Sequence, residues 1–237
     1  MNRNNYPKGS KGMIQILVEE HKDLLDKVLG VKLKWICPIK EDNFKELQLN
    51  GEKMCGELGL SREDFEDFWP SRQPQWDGIA KDENNNLYLI EAKSHLDEIC
   101  PGNHEPDGSN QEQNINYGMK RESLLCIKKH YNSNKENKLW LHKYYQISNR
   151  LAFLKKMKEL RNKKKTDYND VKLIFLNFKN DTTWGKKAVK CDEWIKKYDK
   201  IWDELGVNKN MLEKEGVLII DIDGKDFYEN MQKADSD

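Results

Sequence analysis

Asp77, Glu91 and Lys93 are three charged residues whose spacing could bring their side chains together in one site. Glu91 and Lys93 are two residues apart at the end of an apolar run, and in a β-strand such residues share one face. Two carboxylates brought close together repel each other when both are ionised. A hard divalent cation such as Mg²⁺ relieves that repulsion, and a nearby lysine adds a fixed positive charge for a phosphate or an attacking water.

The register of a predicted hairpin decides whether the two acids meet. Residues 82–86 (DENNN) form a turn-rich cluster, and a turn centred on Asn84 pairs residues whose numbers sum to 168, so that Asp77 lies opposite Glu91. Opposed residues on antiparallel strands have Cβ atoms about 4.5–5.5 Å apart and share a face. A slip of one residue would place the acids on opposite faces. The alternative to a site is an ordinary acid–base pair where a strand meets solvent.

Hydrophobic periodicity predicts the elements that position this hairpin. Helical spacing predicts helices over residues 13–29, 43–58, 110–131, 139–162 and 187–205. Ser61 and Asp64 predict a capped turn, and short apolar runs predict strands over residues 171–178 and 216–222. This order favours an α/β fold with a mixed central sheet covered by helices.

Composition excludes several classes of protein. The chain has 237 residues, 37% hydrophobic and 35% charged, with 41 basic and 41 acidic side chains. No run approaches the ~20 apolar residues of a membrane-spanning helix, and the aromatic content is too high for a disordered chain. The polar start shows no secretory signal, and five scattered cysteines without a CxxC pair favour a reducing, cytoplasmic setting.

A local concentration of positive charge makes nucleic acid a candidate partner despite the neutral total. The candidate nucleic-acid-binding residues are Lys155, Lys156, Lys158, Arg161, Lys163, Lys164 and Lys165. Only six of the 41 basic residues are arginine, and arginine is the main reader of guanine, so we expect backbone-led binding with weak sequence selectivity. A solvated helix end is the alternative for this segment.

Other side chains near the hairpin are weaker candidates. Gln146 could lean over the site and bind a phosphate or a water, although a helix-packing amide is the alternative. His95, Cys100 and His104 are too irregularly spaced to favour a structural zinc site. The tryptophans that flank the site in sequence, such as Trp76, could stack on bases, but core packing is their commoner role.

The pattern of Asp77, thirteen intervening residues and then Glu91-Ala92-Lys93 resembles that of the PD-(D/E)XK, or restriction-endonuclease-like, nuclease superfamily. The string PSRQPQWDGIAKDENNNLYLIEAKSHLDEI also looks like one group of uncharacterised prokaryotic proteins within it. That group tends to show a Tyr-Gln-x-x-Asn-Arg helix, matched here within residues 144–154, then an apolar strand and a tryptophan-bearing helix. The resemblance spans roughly residues 35 to 222.

The resemblance implies phosphodiester hydrolysis with Mg²⁺ or Mn²⁺. Asp77, Glu91 and the backbone carbonyl of Ala92 would be metal ligands, and Lys93 would position or activate the water and stabilise the transition state. Tryptophan rather than proline precedes Asp77, at a position that varies in the superfamily. Gln146 would be an accessory catalytic residue.

Many superfamily members add an acid from the first core helix. Glu46 is the best match in this chain, and Glu57 and Glu20 are its rivals. The resemblance also implies an α-β-β-β-α-β core with a mixed central sheet, a helical N-terminal region and extra helices.

We therefore expect a single domain over residues 1–237, with a helical part at 13–60, a nuclease-like core at 61–222 and an acidic tail at 223–237. The expected function is metal-dependent cleavage of DNA or RNA. The alternative is a nucleic-acid-binding or assembly protein that keeps the nuclease fold without catalysis.

Overall fold

The computed structural model of the protein describes residues 6–99, 115–163, 166–225 and 227, and within them a five-stranded mixed sheet. The strands follow the order of the chain across the sheet: β1 (Leu33–Cys37), β2 (Gly78–Asp82), β3 (Leu87–Lys93), β4 (Val171–Lys179) and β5 (Val217–Asp223). The first three strands are antiparallel, whereas β3, β4 and β5 are parallel. The expected mixed sheet in an α/β protein is confirmed.

Helices cover both faces of this sheet. They are α1 (Ser10–Glu20), α2 (Lys22–Leu29), α3 (Glu52–Leu58), α4 (Ile115–His130), α5 (Tyr145–Lys163), α6 (Cys191–Leu205) and α7 (Lys209–Lys214). One apolar cluster joins α3 to α6 with alternate residues of β3, such as Leu87 and Leu89, and a second joins α1 to the intervening residues, such as Tyr88 and Ile90. Among the described residues, no helix is long and apolar enough to cross a membrane.

The hairpin of β2 and β3 has the expected register. Ile79 pairs with Leu89 and Lys81 with Leu87, so the pairing numbers sum to 168 and the turn centres on Asn84. The Asp82 carboxylate fixes this turn, because it accepts hydrogen bonds of 2.9 Å from the backbone N–H groups of Asn84 and Asn86. Asp and Asn favour such turns through these local hydrogen bonds.

The strand–helix connections define the edge of the sheet where Glu91 and Lys93 lie. Since β3, β4 and β5 are parallel, their carboxyl ends share one edge, and both residues are in the last part of β3. Helix α5 leads into β4 and therefore begins near this carboxyl edge and ends near the opposite, amino edge. The first turns of α5 are thus the part of the helix that can reach Glu91.

The N-terminal part differs from its prediction. Strand β1 falls within residues 13–60, which were expected to be helical, and only Glu52–Leu58 of the predicted helix 43–58 forms. The helix expected over 13–29 is broken at His21, whose φ of −135° is not helical. The five-residue β1 was missed because it is too short to show a clear period, and it is stabilised by pairing with β2.

Candidate active site at the carboxyl edge of the sheet

Asp77 lies immediately before β2, on the face of the sheet that carries Glu91. Its Oδ2 accepts a 2.8 Å hydrogen bond from the backbone N–H of Ala92. The next residue, Gly78, leaves room for the Trp35 ring, since a Cβ at that position would lie 2.9 Å from it. Burial, followed by repulsion from Glu91, raises the pKa of Asp77 to about 7, although the charge of Lys93 acts in the opposite direction.

Glu91 is 3% exposed and has a cation on each oxygen. Lys93 Nζ contacts Oε1 at 2.5 Å, while Arg150 contacts Oε2 through Nη2 at 2.5 Å and through Nε at 2.6 Å. Burial alone would raise the pKa of Glu91, but Arg150 and Lys93 outweigh burial and lower it. Burial likewise opposes the charge of Lys93, but Glu91 and Asp77 prevail and raise the pKa of that lysine.

Arg150 is the site residue that the sequence did not identify as functional. It lies on α5, is 6% exposed, and places its guanidinium 4.4 Å from the centre of the Trp76 ring. Its Nη2 also donates a 2.8 Å hydrogen bond to the carbonyl of Gln75. Arg150 therefore links helix α5 to Glu91 and to the segment that leads into Asp77. Its helical spacing of four residues from Gln146 was the available signal.

The four charged side chains balance one another when Asp77 is ionised. Two carboxylates and two cations give zero net charge at a place where water is largely excluded. Isolated buried ions are costly, and burial is tolerated here because each carboxylate has hydrogen-bond donors and opposite charges nearby. The arrangement supplies oxygen ligands for a cation and positive groups for an anion within one cluster.

Gln146 lies one helical turn before Arg150, toward the carboxyl edge. Its Oε1 is buried and accepts no hydrogen bond from the residues that the structure describes. None of the hydrogen bonds among these residues joins Gln146 to Asp77, Glu91 or Lys93. The side chain is thus near the edge on which the site lies but outside the ion-pair cluster.

Glu46 is not on a helix, which corrects the expectation for this residue. It lies in an extended segment, and the next residue, Leu47, forms an antiparallel bridge to Trp76 in which Trp76 N–H donates to the Leu47 carbonyl at 3.0 Å. One step along this register, Glu46 lies opposite Asp77. Its carboxylate, however, pairs with Lys11 at 3.2 Å.

The two rivals of Glu46 lie elsewhere. Glu57 is exposed on α3, where its carbonyl accepts a 2.7 Å hydrogen bond from Lys81 near the turn end of the hairpin. Glu20 ends α1, which packs on the other face of the sheet, and it accepts a 3.1 Å hydrogen bond from Tyr6. Of the three acids, only Glu46 is brought beside Asp77 by the backbone.

A polar row continues from Lys93 across the carboxyl edge. Lys93 pairs with Asn177 of β4, and Asn177 pairs with Asp221 of β5. Asn177 Nδ2 donates to Asp221 Oδ1 at 2.8 Å, and the Tyr198 hydroxyl donates to Asn177 Oδ1 at 3.1 Å. The sequence did not single out these residues, because their alignment depends on parallel pairing between distant segments.

The basic segment of α5 is at the opposite end of the helix from Arg150. Lys155 pairs with Glu159, and both Lys158 and Arg161 pair with Asp170, which precedes β4. Arg161 is eleven residues beyond Arg150, or ~16 Å along a helix. The ammonium group of Lys156 lies 5.6 Å from the centre of the Phe68 ring, and Lys163 is the last residue of the helix. Lys164 and Lys165 lie outside the described residues. None of the described residues of this segment contacts Asp77, Glu91 or Lys93.

The remaining candidates form no metal site in the described part of the chain. The His95 ring stacks on Trp184 with centroids 4.5 Å apart, while Cys100 and His104 lie outside that part. No group of three or more His, Cys, Asp or Glu residues is placed there to hold a metal ion. Trp69 and Trp76 are 2% and 0% exposed and pack in the core rather than offering free ring faces.

Comparisons with protein-family models, with curated proteins and with solved structures find no match for this chain.

Proposed function

We propose that this protein is a metal-dependent phosphodiesterase that cleaves DNA or RNA with weak sequence selectivity. The observation that carries the proposal is the convergence of Asp77, Glu91 and Lys93 at one edge of the sheet. Asp77 accepts a hydrogen bond from the backbone of Ala92, and Lys93 contacts Glu91 at 2.5 Å. A divalent cation bound by Asp77 and Glu91 would relieve the repulsion between the two carboxylates.

The order of the elements supports a restriction-endonuclease-like core. An N-terminal helix is followed by three antiparallel strands, a helical segment and a strand parallel to the third. This is the order that the sequence resemblance implies for the PD-(D/E)XK superfamily. A fifth strand and additional helices extend that core.

The donors present are those that a hard cation prefers. Asp77 and Glu91 supply carboxylate oxygens, and Mg²⁺ commonly takes one or two carboxylates together with waters. The N–H of Ala92 points toward Asp77, and in an extended strand the carbonyl of the same residue points to the same side. Asp77, Glu91 and the Ala92 carbonyl would thus hold Mg²⁺ or Mn²⁺, which when bound would polarise a phosphate and lower the pKa of a water.

The protein's own groups would divide the remaining work. Lys93 would place a positive charge beside the phosphate as negative charge develops on its oxygens, an effect that is typically worth on the order of 10²–10³ in rate. Arg150 keeps Glu91 oriented, while the walls of the sheet and α5 exclude water around Glu91. The scarcity of arginine supports weak selectivity among base sequences, and the free thiols of the described cysteines accord with the cytoplasmic setting proposed from the sequence.

A second function, binding without catalysis, is favoured by one specific observation. Both oxygens of Glu91 are already engaged by cations, so the cluster is charge-balanced as it stands. A protein that kept this fold only to bind nucleic acid or to assemble could use the same four residues as a buried structural network.

The two functions are separated by a cleavage assay on mixed single- and double-stranded DNA and RNA, with Mg²⁺, with Mn²⁺ and with EDTA. We expect cleavage that EDTA abolishes, and a loss of at least 100-fold in Asp77→Asn and Lys93→Met. Glu83→Gln, in the exposed turn of the same hairpin, and Lys32→Met, at an exposed lysine, are the matched controls and should cleave as the wild type does. Absence of cleavage by the wild type on every substrate, or equal cleavage by Lys93→Met, would favour the binding function.

A further inference from the structure

We infer that Arg150 is a positioning residue that fixes one oxygen of Glu91, and that Lys93 is the partner exchanged for a divalent cation on the other oxygen. This inference rests on the proposed function and specifies how the site would be loaded. It is based on the unequal way in which the two cations hold the two oxygens of Glu91.

Arg150 holds Oε2 through several simultaneous contacts. Nε and Nη2 both reach that oxygen, at 2.6 and 2.5 Å. Nη2 is also bonded to the Gln75 carbonyl at 2.8 Å, and the guanidinium plane lies against Trp76. Because the planar fork of arginine is rigid and these contacts act together, moving Arg150 would break all of them at once.

Lys93 holds Oε1 through a single contact of 2.5 Å between Nζ and the carboxylate. Its ammonium group is carried on a flexible four-carbon stem, and its side chain is 10% exposed. It can therefore leave Oε1 without disturbing the backbone of β3. Of the two cations on Glu91, Lys93 is the one that can be exchanged.

Asp77 lies opposite Glu91 in the register of the hairpin, and Arg150 already occupies Oε2 of Glu91 with two of its nitrogens. A divalent ion shared by Asp77 and Glu91 would therefore compete with Lys93 for Oε1. Once displaced, Lys93 stays in the site and is free to contact a phosphate, while Arg150 keeps the Glu91 carboxylate from rotating.

A direct titration with Mn²⁺ alone, without substrate, tests this division of roles. Calorimetry and the electron paramagnetic resonance signal of free Mn²⁺ would be compared for the wild type, Lys93→Met, Arg150→Met and Arg150→Lys. We expect Lys93→Met to bind Mn²⁺ at least tenfold more tightly, because a competing positive charge has been removed. Arg150→Met should bind at least tenfold more weakly, because Glu91 is no longer oriented, and Arg150→Lys should recover part of that loss.

The opposite signs distinguish positioning from simple electrostatics. If Arg150 acted only through its charge, its removal would tighten binding as the removal of Lys93 does. Arg161→Met, on the same helix but in a surface pair with Asp170, is the control and should leave the affinity unchanged. Should Arg150→Met fail to fold, as circular dichroism would show, Arg150→Lys and Lys93→Met still give the two opposite shifts.

Several outcomes overturn the inference. If Lys93→Met binds Mn²⁺ no more tightly than the wild type, Lys93 does not compete with the cation for Oε1. If both Arg150 variants bind Mn²⁺ as tightly as the wild type or more tightly, Arg150 does not position Glu91. If wild type cleaves and binds Mn²⁺ but the variants do not shift, the inference fails while the proposed function stands. If neither the wild type nor Lys93→Met binds Mn²⁺, the proposed metal-dependent function itself fails.

Discussion

Replacing Asp77 by asparagine should stabilise the protein at alkaline pH, because the folded state disfavours the ionised carboxyl. The pKa of Asp77 is raised from 3.8 to about 7, chiefly by burial and then by the charge of Glu91. Below pH 3.8 the group is neutral in both states and costs nothing. As the pH rises toward 7, the unfolded chain releases its proton while the folded chain retains it, so the free energy of unfolding falls with pH.

The magnitude follows from the difference between these two values. At about 1.4 kcal/mol for each pH unit, the ionisation of Asp77 costs the folded state about 4 kcal/mol above pH 7. Asparagine cannot ionise, and its side-chain oxygen can still accept the hydrogen bond from Ala92. The stability advantage of Asp77→Asn over the wild type should therefore grow by about 2–3 kcal/mol between pH 5 and pH 8.

Urea unfolding in EDTA at pH 5, 6, 7 and 8, followed by circular dichroism, measures this difference. Other titrating groups cancel because the two proteins are compared at each pH. Glu83→Gln, whose carboxylate is exposed in the hairpin turn, should stay within about 0.5 kcal/mol of the wild type at every pH. The reasoning is refuted if Asp77→Asn is the less stable protein at pH 8, or if its advantage does not grow with pH.

Three further substitutions test the packing that supports the site. Gly78→Ala should lower the free energy of unfolding by about 1–3 kcal/mol in urea titrations, because the added methyl group would meet the Trp35 ring at 2.9 Å; a neutral result would contradict the tight fit. Tyr88→Phe should cost about 1–2 kcal/mol by the same measurement, because its hydroxyl donates a 2.9 Å hydrogen bond to Asp82, and an unchanged midpoint would count against this anchoring of the turn. Lys81→Met should lower the melting temperature in calorimetry, because its ammonium group joins the carbonyls of Glu57 and Asp167; equal melting would show that these contacts contribute no stability.

The hairpin could be predicted because its determinants are local. The turn residues from Asp82 to Asn86 set the register through contacts within five positions, and the alternation of side chains then places Asp77 and Glu91 on one face. Strands β4 and β5 could also be predicted, because each contains a short apolar run, although only β4 is buried along most of its length.

What the sequence could not show depends on distant contacts. Arg150 meets Glu91 across 59 positions, and its spacing from Gln146 on α5 does not reveal that its partner is Glu91. The extended course of Glu46 comes from its neighbour's bridge to Trp76, which overrides the helical pattern expected over 43–58. The pairing of the basic segment with Asp170 likewise depends on how α5 turns back into β4.

The hydrogen bond from Ala92 to Asp77 gives the site an internal reporter. The β2–β3 ladder ends at the pair Gly78 and Ile90, and two residues beyond it the Ala92 amide is held by a side chain instead of a neighbouring strand. The nitrogen and proton chemical shifts of this amide should therefore follow the charge on the carboxylate. In a two-dimensional NMR spectrum, one backbone peak would then record protonation, cation loading and product release at the site, without a label on any catalytic group.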